Sequence, residues 1–163
     1  AFYQYAKEHL PRYSKVLLAM RWGNQMPENS NSISYDADFF QKFDTMLQTL
    51  SSEKQIVYLM TDNQTLSYNA LRAYMLSSRI PGYNQNLHSD DEATTKGNIR
   101  IRELAAKYPN VHIIDAAAYI PENFKINELP VYSDKDHINP YGGIELAKLF
   151  SEENKLLDTH HSH

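Results

Sequence analysis

Three short apolar runs, Val16-Leu17-Leu18-Ala19-Met20, Ile56 to Met60 and Val111 to Ile114, are spaced along the chain, and a segment of helical periodicity precedes each. No other feature narrows the fold as much. Apolar runs of strand length suit parallel strands covered by helices, whereas a sheet with one wet face would alternate apolar and polar residues. We place strands over Lys15 to Met20, Gln55 to Met60 and Val111 to Ile114. Residues 1–10 carry Phe2, Tyr5, Ala6 and His9 or Leu10 at helical spacing until Pro11 stops them. Asp36 is placed to cap a helix to about Leu50 with Phe39, Phe40, Phe43, Met46, Leu47 and Leu50 on one stripe. Leu66 to Leu76 reads as a further helix. So does Asp91 to Tyr108, with Ile99, Ile101, Leu104 and Ala105 apolar and Gly97 weakening its first half, before Pro109-Asn110 breaks it.

The alternation predicts an α/β three-layer sandwich, a parallel sheet with helices on both faces. Ligands of such sheets sit beyond the carboxyl ends of the strands. Arg21-Trp22-Gly23-Asn24, Thr61-Asp62-Asn63 and Asp115 are delivered to that edge. A chain of 163 residues, 42% hydrophobic, suffices for one core, so we expect a single domain over residues 1–157. Residues 158–163, with three histidines, read as a frayed terminus or the remnant of a tag.

Composition excludes several classes of function. A net charge of -4 with scattered Lys and Arg leaves no basic footprint for nucleic acid. No apolar run approaches the roughly 20 residues that span a bilayer. With no cysteine, disulfides and thiolate chemistry are absent. Neither a cofactor nor a metal is implied. Asp134-x-Asp136 with Glu145 imitates a calcium loop, but Ile138 falls on a ligand position and Asn139 stands where the turn requires Gly.

The chemistry concentrates in Tyr132-Ser133-Asp134-Lys135-Asp136-His137-Ile138-Asn139-Pro140, followed by Tyr141-Gly142-Gly143 and an amphipathic helix. An imidazole must be neutral to accept a proton, and a carboxylate beside it fixes the tautomer and stabilises the imidazolium. Asp134 and His137, three apart on a loop, permit this arrangement; a surface turn capped by Asp134 is the other reading. His112 reads as a structural histidine and His88 as part of a solvated loop.

This segment resembles the last block of SGNH hydrolases, in which the Asp and His of Asp-x-x-His complete a Ser-His-Asp triad. Lys15-Val-Leu-Leu-Ala-Met-Arg21-Trp22 is similar to the strand of SGNH domains fused to membrane acyltransferases of the acyltransferase-3 type, which O-acetylate bacterial surface polysaccharides such as lipopolysaccharide. The resemblance implies an SGNH, flavodoxin-like fold, with His137 as general base and Asp134 orienting it. Arg21 to Asn24 then occupies the third block, with Asn24 a candidate oxyanion donor. Arg21 and Trp22 stand either as substrate contacts or as a structural ion pair and a packed aromatic. Implied partners are an acyl donor, a glycan acceptor and the membrane acyltransferase domain of the same parent protein, and the implied address is extracytoplasmic, on the periplasmic side. The family's Gly-Asp-Ser block is absent. None of Ser14, Ser30, Ser32, Ser34, Ser51, Ser52, Ser67, Ser77, Ser78, Ser89, Ser133 or Ser151 sits on a strand-to-helix turn with small neighbours. The nucleophile and the first strand are therefore expected upstream of Ala1, leaving this chain inactive alone. A carbohydrate esterase, and a glycan-binding module without catalysis, remain the alternatives.

Overall fold

The computed structural model describes residues 5, 8–52, 55–89 and 91–154. It is an α/β fold built on a parallel sheet, and the chain divides into two compact units: residues 1–64 with 91–115, and residues 65–90 with 116–163. The expected tail at 158–163 and most of the expected first helix lie outside the described residues. Of that helix Tyr5, Glu8 and His9 are helical, and a 3-10 turn over Leu10–Arg12 follows.

The first unit holds the sheet: β1 (Lys15–Leu18), β2 (Ile56–Met60) and β3 (Val111–Ile114), parallel, in the order β1-β2-β3. Val16 lies level with Val57, and Val57 with Val111. These residues and their neighbours two along point to one face, where α1 (Phe39–Ser52) and α3 (Glu92–Ala105) cover them. Phe43, Met46, Leu47 and Leu50 of α1 meet Ile101, Leu104 and Ala105 of α3 over Val57, Leu59 and Val111. The stripe read for α1 is thus the buried one. On α3, Ile99 is 52% exposed, against expectation, while the inward face carries Thr94, Gly97 and Asn98. Polar residues can face inward here because each finds a partner, Asn98 in the Asp62 backbone and Thr94 in the Asp91 carboxylate. β1 also departs from a strand covered on both faces, since Leu17 is 54% exposed.

Helix α3 meets all three strand exits. The Asn98 amide exchanges two hydrogen bonds with the Asp62 backbone after β2, both 2.8 Å. Arg102 pairs with Asp115 after β3 at 2.6 Å. Past β1, which ends at Leu18 and not Met20, the chain turns through a 3-10 segment over Trp22–Gln25 that lies directly on α3. Gly97 makes this approach possible. A Cβ there would fall 2.7 Å from the Gly23 nitrogen and the Trp22 carbonyl carbon, and a Cβ on Gly23 would fall 2.8 Å from the Thr94 nitrogen. Gly97 therefore costs helix propensity in exchange for a backbone contact no other residue permits. Asp91 caps α3 by accepting from the Thr94 N–H at 3.0 Å.

The second unit contains α2 (Ala70–Ser77), a 3-10 turn over Ala116–Tyr119, a hairpin of β4 (Lys125–Ile126) and β5 (Leu129–Pro130), and α4 (Pro140–Asn154). Leu66, Ala70, Val131 and Tyr132 form its buried centre. The helix expected from Leu66 starts at Ala70. Leu66 is buried within a loop, its N–H given to the Lys135 carbonyl, and Asn69 caps the helix through the Arg72 N–H at 2.7 Å. The hairpin, unread in the sequence, turns through Asn127 and Glu128 with φ of 48° and 63°, as a two-residue turn with left-handed central positions requires.

Gly97→Ala should destabilise the protein by about 1–3 kcal/mol through backbone overpacking, although alanine raises helix propensity by about 1 kcal/mol. Gly143→Ala in α4, where the nearest atom to the new Cβ is Ile138 Cγ2 at 4.0 Å, should be neutral or stabilising. Urea unfolding of the two variants checks the contrast.

Candidate active site

The site loop is a short excursion between Val131 and Asn139, closed on itself. Tyr132 bridges Ile138 in antiparallel fashion, and the Ser133 N–H and hydroxyl both donate to the His137 carbonyl, at 2.8 and 3.1 Å. Val131 and Tyr132 are fully buried and anchor the base of the loop. At the far end Asn139 caps α4, its Oδ1 accepting from Gly142 N–H at 2.7 Å while its Nδ2 donates to the Pro130 carbonyl at 2.7 Å. Gly142 is required because a Cβ there would strike the Val131 carbonyl and sit 2.8 Å from its Cα. The segment before α2 grips the loop from outside: the Ala70 N–H donates to the Asp134 carbonyl at 3.0 Å, and the Leu66 N–H to that of Lys135 at 2.7 Å.

Asp134 organises the interior of this loop. Its Oδ1 accepts the backbone N–H groups of Asp136 and His137, each at 2.9 Å, and its Oδ2 lies 2.9 Å from His137 Nδ1. One carboxylate thereby shapes the turn and seats the imidazole. The two backbone N–H groups, and after them the His137 side chain, hold the Asp134 carboxyl well below the usual carboxylate range. His137 presents 73% of its side chain to solvent. A carboxylate on Nδ1 selects the tautomer that leaves Nε2 as the acceptor. The surface turn capped by Asp134, one of the two readings of Asp134-x-x-His137, is formed here, and the same carboxylate also lies against the imidazole.

In the sequence Asp136 is weighed as part of a calcium loop and not as a neighbour of the imidazole. The Asp136 Oδ1 lies 3.1 Å from the same His137 Nδ1, so two carboxylates converge on one imidazole nitrogen. The only available hint was its place inside the motif. Ligand atoms of Asp134, Asp136 and His137 lie within 4.8 Å of one another, a spacing a cation could bridge. However, Asp134 Oδ1 is already committed to two amides, and the shared Nδ1 faces both carboxylates.

The candidates after β1 belong to the sheet unit. Trp22 is wholly buried; its indole N–H donates to the Met60 carbonyl at 2.8 Å and its ring packs on Phe43, centroids 5.3 Å apart. A side chain without exposed surface offers none to a substrate, so the packed-aromatic reading fits Trp22. Arg21 Nε lies 3.4 Å from Asp62 Oδ2, the ion pair that was the alternative for it. Asn24 is half-buried in the 3-10 turn, where its N–H donates to the Arg21 carbonyl at 3.1 Å, and its side-chain amide makes no hydrogen bond with the described residues. It is the uncommitted donor of the three. His112 is on a strand as expected but exposed, its ring 5.8 Å from that of Tyr58; His88 is in an exposed loop. Ser133, the hydroxyl nearest His137 in sequence, is engaged with the His137 carbonyl.

The sequence pattern of a family described as "SGNH domain (fused to AT3 domains)" matches residues 1–152. No curated protein matches the chain. Among solved structures, the periplasmic domain of a lipopolysaccharide acetyltransferase from Salmonella ser. Paratyphi A superposes with a TM-score of 0.59 at 10% identity. The superposition covers 91% of this chain and 60% of that one, so the chain spans well under two thirds of its neighbour and the likeness is one of fold.

Because the Asp134 pKa is depressed on folding, the stability it contributes is present above the unfolded value near 4 and is lost as pH falls through the lower folded value. Asp134→Asn should therefore be less stable than the parent at neutral pH, and the difference should persist to about pH 4 and narrow below it. Unfolding free energies of both proteins from pH 7 to pH 2 check the sign.

Proposed function

The chain belongs to the family of SGNH domains fused to AT3 domains, and from that membership and the geometry of the site loop we propose that it is part of the soluble catalytic domain of an O-acyltransferase. The acceptor is a hydroxyl of a bacterial cell-envelope polysaccharide, lipopolysaccharide or a related glycan, and the domain works on the periplasmic side. No helix of the described residues is long and apolar enough to cross a membrane; the fused AT3 domain supplies the membrane part and hands over the acyl group.

The observation that carries this reading is the exposed His137 ring with its Nδ1 held 2.9 Å from Asp134. In the proposed reaction a serine hydroxyl attacks the carbonyl of the acyl donor while His137 Nε2 takes its proton. The tetrahedral oxyanion collapses, and the leaving group departs with that proton. The sugar hydroxyl then attacks the acyl-serine, again losing its proton to His137, and the serine is regenerated. Asp134 stabilises the imidazolium in both halves, and Asp136 adds a second carboxylate beside the same nitrogen. In this reading the serine is supplied by another part of the parent protein, since no serine among the described residues stands on a strand-to-helix turn.

Esterase action uses the same residues with water in place of the sugar, and acetyl release from a chromogenic ester with and without a sugar acceptor separates the two. In the intact parent protein, His137→Ala should lower glycan acetylation by about 10²–10⁴-fold, Asp134→Asn should approach that loss, and Asp136→Asn should cost much less. The 163-residue chain should show no ester turnover above its own His137→Ala control. Turnover that this substitution abolishes would place the nucleophile within the chain, whereas an intact parent protein indifferent to His137→Ala would favour a glycan-binding module.

A further inference from the structure

Residues 63–89 contain no Asp or Glu, although the chain carries 20 acidic residues against 16 Lys and Arg. Arg72 and Arg79 fall in this stretch, on α2 and on the turn that continues it. Arginines elsewhere meet carboxylates: Arg21 lies on Asp62, Arg100 on Glu103 and Arg102 on Asp115. Arg72 and Arg79 are exposed, and neither has a carboxylate partner among the described residues. A guanidinium without a carboxylate, in a chain with acid to spare, keeps its fork of donors for an incoming anion.

Both arginines line one cavity of about 280 Å³. Arg72, Leu76 and Arg79 recur at helical spacing and form one ridge, and Leu71 and Met75, four apart, form the next. The ridge is continuous past Ser77, because the Ser78 N–H donates to the Tyr74 carbonyl and the Arg79 N–H to that of Leu76, both at 3.1 Å. Leu71, Met75 and Leu76 give the cavity an apolar lining between the two charges. Ser133 closes it from the site loop. That residue donates twice to the His137 carbonyl, and α2 is tied to the same loop where the Ala70 N–H meets the Asp134 carbonyl at 3.0 Å. The cavity therefore abuts the loop that presents His137, within the second unit.

We propose that this cavity is a subsite for an acidic acceptor glycan, in which Arg72 and Arg79 hold carboxylate or phosphate substituents of the sugar chain while a hydroxyl farther along it reaches His137. The inference rests on the reading of the acceptor as a glycan and adds its charge. Planar guanidinium groups pair with carboxylate and phosphate oxygens in bidentate fashion. At about 1.5 Å per residue the two arginines are set roughly 10 Å apart along the helix, a spacing that suits charges on more than one ring better than a single free ion. Leu71, Met75 and Leu76 offer the C–H faces of the rings an apolar surface. These side chains line a concavity, whereas a bilayer would call for a flat or convex apolar face. His137 is not among the lining residues, so the anionic group and the acylated hydroxyl belong to different parts of the acceptor.

Titration calorimetry of the 163-residue chain tests this without turnover. The titrants are a galacturonate tetrasaccharide, its full methyl ester with the same rings and no charge, a phosphorylated mannose oligosaccharide, inorganic phosphate, and vesicles of phosphatidylglycerol. At least one of the two acidic saccharides should bind about tenfold or more tightly than the methyl ester, and added salt should weaken it. Arg72→Gln and Arg79→Gln should each weaken that binding by about tenfold, whereas Arg12→Gln, an exposed arginine of the sheet unit, should leave it unchanged. Acidic saccharides that bind no better than the methyl ester or than inorganic phosphate, or that ignore both substitutions, would overturn the proposal. Vesicles bound through the two arginines when no saccharide is would overturn it too, and would make the surface a membrane contact. In the intact parent protein both substitutions should raise the acceptor KM with kcat little changed. Glycan acetylation with an unaltered acceptor KM would sink the subsite and spare the acyltransferase reading; saccharide binding in a parent protein that transfers no acyl group would do the reverse.

Discussion

Two glycines in backbone contact set the frame of the sheet unit. Gly23 in the turn after β1 and Gly97 on α3 come together so closely that either Cβ would collide with main-chain atoms of the other segment. With no side chain between them, α3 lies low across the ends of the strands. From there Asn98 reaches the Asp62 backbone and Arg102 reaches Asp115. The exit loops of three parallel strands are thus fixed to one rigid helix. Trp22 adds a second tie, reaching from the β1 exit to the Met60 carbonyl at the end of β2. Large-to-small changes of a buried tryptophan cost about 3–5 kcal/mol, and here the same side chain also positions the turn that carries Asn24.

The loop that carries Asp134 and His137 follows a different logic. It is defined almost entirely by residues of one continuous stretch, from Pro130 to Gly143, and its geometry follows from one carboxylate accepting two amides and an imidazole. A charged acceptor holding three donors is stronger than the same donors shared among neutral oxygens. The fold itself therefore orients the imidazole, through the Asp134 carboxylate on its Nδ1. The convergence of Asp136 on the same nitrogen places more negative charge beside an imidazole than one Asp-x-x-His pair supplies.

Much of this was legible in the sequence where a single physical rule governed the outcome. β3 and the buried stripe of α1 were, because apolar burial alone decides them. The contact of Asp134 with His137 was, because a spacing of three on one loop brings the two side chains within reach. The failures occurred where two rules competed. Leu66 is apolar and helically spaced from Ala70 and Ala73, yet it is buried from a loop, since Lys135 takes its N–H and Asn69 offers a better cap. Gly97 looked like a weakness in its helix because propensity is visible in one segment and backbone approach needs two. Asn98 and Thr94 were not singled out in the sequence, because the Asp62 backbone and the Asp91 carboxylate that take their polar atoms are visible only once the helix is placed. Trp22 and Arg21 carried two readings each, and only burial and a measured distance could separate them.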